Sequence, residues 1–223
     1  MQFDLPYMLG LFPILFKYLG TTMGMAVLGM IFALILAVVI ANIRIFKIPI
    51  LNPLCQVYIS FFRGTPLLVQ MFLFYYGLPQ LIPALAGMNA FTAAVIALTL
   101  HFASYMTESI RAAIIGIDRS QMEASLSIGM TTPQAMCRIV LPQATRIAFP
   151  SLVNYFIDMI KSTSLAFTLG VSEIMAKAQL EAASSFKYLE AFLAVALIYW
   201  GVVVILTRIQ IWTEKQLNKA YQR

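Results

Sequence analysis

Long apolar stretches constrain the fold of this chain more than any other feature of its sequence. Of its 223 residues, 61% are hydrophobic and only 11% are charged, and the mean hydropathy is +0.86. A bilayer core about 30 Å thick is crossed by roughly 20 apolar residues in an α-helix. Such stretches are found at Met23 to Ile43, Pro66 to Ile82, Phe91 to Ile115, Ile147 to Leu169 and Ala191 to Gln210. The sequence therefore predicts an all-α integral membrane protein, a single domain over residues 1–223 with five transmembrane helices.

The basic residues are sorted by loop, and this sorting predicts the orientation of the chain. They gather after the first span, around the loop between the third and fourth spans, and after the fifth: Arg44, Lys47, Arg111, Arg119, Arg138, Arg146, Arg208, Lys215, Lys219 and Arg223. Cytoplasmic loops are the ones enriched in Lys and Arg. The N-terminus is therefore predicted outside and the C-terminus in the cytoplasm, with residues 1–20 as a short interfacial segment. Because the basic residues form no single patch, the net charge of +6 does not indicate nucleic-acid binding.

The sequence lacks the residues on which several classes of protein function depend. The sequence has one histidine and two cysteines, Cys55 and Cys137, with neither a CxxC nor an HExxH pattern, so no metal site is predicted. Both cysteines fall on the predicted cytoplasmic side, where a structural disulfide is not expected. The sequence has no GxxxxGK followed by Ser or Thr, so it offers no P-loop for a nucleotide. Energy for transport is then expected from another chain or from an ion gradient.

A polar segment between the third and fourth spans has the features of a helical hairpin. Residues 120–128 are predicted to form a helix that ends at Gly129, because glycine readily adopts the left-handed conformation found after helix C-termini. Thr132 followed by Pro133 indicates an N-cap and the first position of a second helix, which Pro142 is predicted to end. Since the charged loops place this segment in the cytoplasm, residues 120–142 are predicted to form a binding surface for another protein.

This hairpin carries a set of residues at fixed spacing: Glu123, Ala124, Ser125, Gly129, Ile139, Leu141 and Pro142. The pattern resembles the coupling loop of the permease subunits of bacterial ABC importers, with Ser125 at a position that is usually alanine. The resemblance implies the type I importer fold with cytoplasmic coupling helices, a location in the bacterial inner membrane, and no enzymatic activity in this chain. It also implies that the hairpin binds a cytoplasmic ABC ATPase dimer. That partner holds ATP and Mg²⁺, and no cofactor is implied for this chain.

A second motif narrows the resemblance to one branch of the family. The run Phe61-Phe62-Arg63-Gly64-Thr65-Pro66-Leu67-Leu68, with Gln70 and Tyr75-Tyr76-Gly77-Leu78-Pro79 after it, resembles permeases for polar amino acids such as histidine, glutamine, arginine and cystine. This branch implies two further partners. One is an extracytoplasmic amino-acid-binding protein, and the other is a second permease, either another copy of this chain or a paralogue.

Polar residues inside predicted spans are candidates for substrate binding, since an ionised group at the bilayer centre costs about 2.5–3.5 kcal/mol. The candidates are Glu108, Lys161, Ser162, Thr163 and Ser164. A free amino acid carries an ammonium and a carboxylate group, so Glu108 is expected to favour the ammonium, and Lys161 with the hydroxyls the carboxylate. Two structural alternatives stay open. Glu108 could form a Glu–Lys or Glu–Arg pair that fastens the third helix to the fourth, or it could pair with Arg111 on its own helix.

The Lys161 run resembles a Lys-Asp-Thr-Ser-Leu motif that lines the translocation path of amino-acid permeases, but Ser162 stands at the aspartate position. Without this acidic group, a cationic substrate such as arginine or histidine is disfavoured and a net-neutral polar amino acid is favoured. The residues that follow, 164–171, look like those of cystine importers, so the candidate substrate is L-cystine. Asn154 and Asp158 share a helix face with Lys161 and extend the polar stripe.

These residues lead to three hypotheses of different classes. The first is the membrane subunit of an ATP-driven, binding-protein-dependent importer of a polar amino acid. The second is a secondary transporter or channel that uses Glu108 and Lys161 with an ion gradient, and the third is a membrane-embedded enzyme. A gradient-driven carrier needs no hairpin for an ATPase, and the sequence is poor in the His, Cys and paired carboxylates that enzymes use.

Overall fold

Helices are the only regular elements in residues 3–219, the part of the chain that the computed structural model describes. The α-helices, in chain order, are α1 (Leu5–Phe16), α2 (Leu19–Ile45), α3 (Leu51–Gly64), α4 (Leu67–Phe72), α5 (Leu78–Leu81), α6 (Ala90–Ile115), α7 (Arg119–Ser127), α8 (Thr132–Ala135), α9 (Leu141–Ser162), α10 (Ile174–Ser185) and α11 (Tyr188–Asn218). Arg223, predicted to belong to a cytoplasmic basic cluster, lies outside the described residues, as do residues 1 and 2 of the predicted interfacial segment.

Three of these helices are long and apolar enough to cross a membrane. They are α2, α6 and Tyr188–Leu217 of α11. Each contains one of the stretches expected from hydropathy, so the first, third and fifth predicted spans are confirmed as helices of membrane-spanning length.

The second and fourth predicted spans differ from the expectation. The second is divided into α4, a π-helical turn and α5, and the combined segment is bent by 111° from α3. The bend falls at Thr65, which is extended (φ −118°, ψ 146°) because Pro66 disfavours helical geometry in the residue before it. In the fourth, α9 ends at Ser162 and a 3-10 helix follows, and its polar residues make it less apolar than the others. By length and composition, residues 3–219 hold three spans, or four with the bent pair, where five were predicted.

The predicted interfacial segment contains a packed helix. α1 places Met8, Leu11 and Leu15 in an apolar cluster with residues of α10 and α11. Its first turn is capped by Asp4, whose carboxylate accepts the Tyr7 N–H at 3.0 Å and also pairs with Lys187. These contacts hold α1 at the end of the bundle where α11 begins.

Small residues let α2, α6 and α9 approach closely at the centre of the bundle. Ala33 of α2 and Ala97 of α6 are completely buried in the main apolar cluster. At Gly29 of α2, a Cβ atom would lie 2.9 Å from the sulfur of Met159 in α9, so only glycine fits without a shift. Such contacts provide the close packing that joins helices within lipid.

Candidate functional site

α7 and α8 form the hairpin expected from the sequence. The Asp118 carboxylate caps α7 by accepting the Ser120 N–H at 2.9 Å, and α7 ends at Ser127. Gly129 follows in the left-handed region with φ +87°, as predicted. The glycine therefore reverses the chain at a position where an L side chain would be strained.

The second arm of the hairpin corrects two expectations. Its N-cap is Thr131 rather than Thr132: the Thr131 hydroxyl accepts the Gln134 N–H, and the Gln134 side chain accepts the Thr131 N–H at 2.9 Å. Pro142 does not end the helix. A π-helical turn over Met136–Val140 joins α8 directly to α9, and Pro142 lies in the first turn of α9, where its missing N–H is tolerated. The second arm thus continues without interruption into α9.

The expected coupling residues fall into exposed and buried groups. Glu123, Ala124, Gly129, Leu141 and Pro142 are exposed, Ile139 is half-buried, and Ser125 is buried. The Ser125 hydroxyl donates to the Gln121 carbonyl at 2.6 Å, so its side chain is turned back onto α7 and is not offered to a partner. Two apolar side chains of the same hairpin that were not among the predicted coupling residues, Leu126 and Ile128, are 43% and 76% exposed. Their position in the sequence could have indicated a contact surface, because they are apolar residues in a segment that is mostly polar.

Glu108 is held by two guanidinium groups. Arg111 donates to its Oε2 from Nε at 3.0 Å and from Nη2 at 2.7 Å, so the alternative of a pair within one helix is the one that forms. Arg44 at the end of α2 approaches Oε1 to 3.7 Å, a partner on another helix that the sequence analysis did not foresee. The carboxylate is therefore already neutralised within this chain.

Lys161 has a different partner. Its ammonium lies 2.6 Å from Asp158, one turn earlier in α9, and both side chains are about half exposed. Ser162 and Ser164 are partly exposed, whereas Thr163 is buried and donates to the Ile160 carbonyl at 2.7 Å. The Ser164 hydroxyl donates to the Lys161 carbonyl at 2.7 Å. The exposed polar groups of this run are thus Lys161, Asp158 and the two serines.

Glu108 and Lys161 lie at different depths of the bundle. α6 and α9 run antiparallel, and Ala113 packs against Ala144 and Ala148 near the hairpin. At 1.5 Å per residue, Glu108 is about 8 Å and Lys161 about 20 Å from this cluster along their helices. An α-amino acid carries its ammonium and carboxylate on one carbon. One α-carbon therefore cannot bring its two charged groups to Glu108 and Lys161 together.

Gln70, part of the motif that resembles amino-acid permeases, is a buried amide at the bend between α3 and α4, a structural role that the sequence did not predict. Gln70 is 1% exposed, and its Nε2 donates to the Phe62 carbonyl at 3.0 Å and to the Thr65 hydroxyl at 2.8 Å. Its Oε1 lies 3.1 Å from Nδ1 of His101 on α6. A single side chain thus fixes both sides of the bend and joins them to α6. The sequence signal was a glutamine within a predicted span.

Glu173, which was not among the predicted site residues, is a completely buried carboxyl between the 3-10 helix and α10. It accepts the Ala176 N–H at 2.7 Å as the N-cap of α10, and the Tyr199 hydroxyl donates to it at 3.3 Å. Burial raises the pKa of Glu173, and these hydrogen bonds act in the opposite direction. This network joins α10 to α11 immediately after the segment that carries Thr163.

The family of the chain follows from comparison with known proteins. Residues 29–219 match the family model described as binding-protein-dependent transport system inner membrane component. The chain belongs to this family. Within residues 3–219, no three His, Cys, Asp or Glu side chains are grouped closely enough to hold a metal ion.

Several relatives match the chain over almost its whole length. A Vibrio harveyi protein, "Probable amino-acid ABC transporter permease protein PatM", is 76% identical, with all of both chains covered. The "L-cystine transport system permease protein TcyL" of Bacillus subtilis (strain 168) is 39% identical, covering 99% of this chain and 94% of TcyL. Among solved structures, an "amino acid ABC transporter with histidines" matches with a TM-score of 0.88 at 32% identity, covering 97% of this chain and all of the other.

Proposed function

We propose that this chain is the membrane subunit of an ATP-driven importer of a polar amino acid, and that residues 120–142 bind a cytoplasmic ABC ATPase. The observation that carries the proposal is the continuity of the second hairpin arm with α9 through the π-helical turn. The hairpin presents Glu123 and Ile128 to solvent, and Lys161 lies in the last turn of α9, which ends at Ser162. A displacement of the hairpin by the ATPase would therefore be transmitted along one helical segment to the polar run.

The transport path is assembled from two permeases in this proposal. The proposal adds α9 to the four spans given by length and composition, and the resulting five crossings, made by α2, the bent α3–α5 segment, α6, α9 and α11, are too few to enclose a polar path alone. α9 has 22 residues and is about 33 Å long, which is sufficient to cross the hydrocarbon core. A second copy or a paralogue would pair with the chain about a two-fold axis. ATP and Mg²⁺ are held by the ATPase dimer, and an extracytoplasmic binding protein delivers the substrate.

Lys161, Ser162 and Ser164 are proposed to bind the substrate carboxylate. Thr163, the fourth candidate of this run, is buried and donates to the Ile160 carbonyl, so it is proposed to hold the run in place. Lys161 and the two serines are at least partly accessible, and the Asp158 partner is exposed, so a carboxylate can compete with it. Glu108 is proposed to meet the substrate ammonium at a separate point of the path, after its pairs with Arg111 and Arg44 open. Ser162 in place of an aspartate and the similarity to TcyL both support L-cystine as the substrate.

Ile128→Asp tests the ATPase-binding hairpin. Ile128 is 76% exposed, so the substitution leaves the fold of the single chain unchanged but puts a charge on the proposed contact surface. An apolar anchor in such an interface contributes about 2 kcal/mol or more. Recovery of the ATPase with the purified permease is expected to fall at least about tenfold, with ATP-dependent uptake into proteoliposomes falling in parallel.

Leu180→Asp is the matched control, because Leu180 is 64% exposed and lies in α10, outside the proposed crossings and away from the hairpin. It is expected to retain the ATPase. Full ATPase recovery and uptake by Ile128→Asp would contradict the proposal, and uptake by the unmodified chain alone without ATP would favour an ion-gradient mechanism instead.

A further inference from the structure

A basic pocket lies where α2 and α6 end and α3 and α7 begin. Its cavity measures about 360 Å³, within the range of ligand sites in proteins. The polar side chains that line it are Arg44, Lys47, Asn52, Gln56, Arg111 and Arg119. None of these residues belongs to the proposed coupling or substrate sets.

The charges around this pocket are unbalanced. Four basic side chains are opposed by one carboxylate, Glu108, so the site carries a surplus of three positive charges. Lys47 and Arg119 form no ion pair within residues 3–219. Two buried polar atoms beside the pocket, Nε of Arg44 and Oε1 of Glu108, have no hydrogen-bond partner in the same part of the chain. Because the basic side chains outnumber the carboxylate, the pocket is suited to an anion with several oxygen atoms.

The surface beside the pocket is apolar. α3 turns Asn52 and Gln56 to the cavity and exposes Leu54, Val57 and Phe61, which follow one another at helical spacing. Ile115 of α6, at the wall of the cavity, is 56% exposed. An occupant with an anionic head and apolar chains would satisfy both surfaces at once.

We propose that this pocket binds the phosphate headgroup of an anionic phospholipid, with the acyl chains along the apolar side of α3. Basic pockets between transmembrane helices on the cytoplasmic side commonly bind such headgroups. A soluble phosphate has the same anionic group as the lipid headgroup, but it has no apolar part that could cover the exposed apolar residues of α3. The assignment to the inner leaflet rests on the loop charges and is independent of the amino-acid substrate.

The test measures which lipids stay with the purified full-length chain. The protein is equilibrated with bilayers containing equal amounts of phosphatidylglycerol and phosphatidylcholine, extracted in detergent, and its retained lipids are quantified by mass spectrometry. The pocket variant combines Lys47→Gln with Arg119→Gln, which leaves both Glu108 ion pairs in place. The control combines Lys215→Gln with Arg208→Gln, two exposed basic residues near the end of α11 and outside the pocket.

Unmodified protein and control are expected to retain phosphatidylglycerol in preference to phosphatidylcholine. Each basic residue at an anionic leaflet contributes about fivefold in affinity, so the pocket variant should lose roughly 20- to 30-fold in that preference. Equal retention by the pocket variant and the control would overturn the proposal. Displacement of the lipid by millimolar inorganic phosphate would assign the pocket to a soluble anion. Loss of the ATPase from the pocket variant, with its retained lipid unchanged, would assign the pocket to a protein contact. Both results contradict a lipid site.

Discussion

At the scale of single residues, Lys161 and Glu108 differ in how firmly their charges are held. Glu108 has two guanidinium partners, and its side chain is 22% exposed. Within residues 3–219, the Lys161 ammonium has one ion-pair partner, Asp158, and the two side chains are 54% and 52% exposed. An ion pair this exposed contributes little to stability, because solvent screens it. Lys161 is therefore the residue more able to exchange its partner for a substrate carboxylate.

Lys161→Ala is expected to raise the KM for L-cystine uptake by roughly tenfold to hundredfold, because a hydrogen bond to a charged group contributes about 1.5–3 kcal/mol. The measurement is ATP-dependent uptake by the complete complex in proteoliposomes. Lys177→Ala is the control, since Lys177 also pairs with a carboxylate one turn away in its own helix, Glu181 at 2.8 Å. An unchanged KM in Lys161→Ala, with intact assembly, would give Lys161 a purely structural role.

Sequence spacing could predict some of these contacts and not others. The Glu108–Arg111 pair follows from positions three residues apart in a helix, and it was one of the alternatives considered. The approach of Arg44 depends on how the end of α2 packs beside α6, which no local pattern encodes. The sequence predicts Lys161 and Glu108 as parts of one site because both are ionisable residues of neighbouring spans. Their depths in the bundle depend on how α6 and α9 pack antiparallel, which the sequence does not show.

At the scale of elements, the bend between α3 and α4 depends on one buried amide. Gln70 holds Phe62 and Thr65 on one side and His101 of α6 on the other. The ring of Tyr105, also on α6, lies 5.3 Å from the Arg63 guanidinium, which adds a second tie to the bend. The angle of 111° is thereby fixed to the central helix.

Gln70→Leu is expected to lower the free energy of unfolding by about 1–3 kcal/mol, because the substitution removes the only donors that the side chain offers to Phe62 and Thr65. Thermal unfolding of the purified chain in detergent measures this loss. Gln80→Leu serves as the matched control: Gln80 is exposed, and its amide donates to the Tyr76 carbonyl four residues earlier in the chain. Equal melting temperatures for the two variants would show that the bend does not need Gln70.

The sequence predicts the end of a helix well where the conformation of a single residue determines that end. Gly129 ends the first hairpin arm because its backbone needs positive φ, and that requirement is visible in the sequence. The sequence predicts a helix end at Pro142, but a proline is also accepted in a first helical turn. The π-helical turn before it interrupts the regular α-helical hydrogen bonding, which removes the need for an N–H at this position. Hydropathy alone does not show whether a proline lies at the end of a helix or in the first turn of one.

At the scale of the whole molecule, hydropathy predicted the helical class and three of the spans, but not the bend. An apolar stretch is equally apolar whether it crosses straight or turns, so Pro66 to Ile82 gave no sign of its angle to α3. The polar residues of α9 lower its hydropathy, so this helix is not identified as a span by composition. We assign these residues to the transport path. The proposed orientation and assembly require the hairpin to face the cytoplasm, where an ATPase can reach it.

Labelling of Cys137 tests this central claim most directly. Cys137 is exposed within the π-helical turn of the hairpin, and Cys55→Ser leaves it as the sole cysteine. A membrane-impermeant maleimide is expected to label it in inside-out vesicles but not in right-side-out vesicles, and bound ATPase is expected to slow the reaction. Labelling in intact right-side-out vesicles would place the hairpin outside the cell and contradict the account.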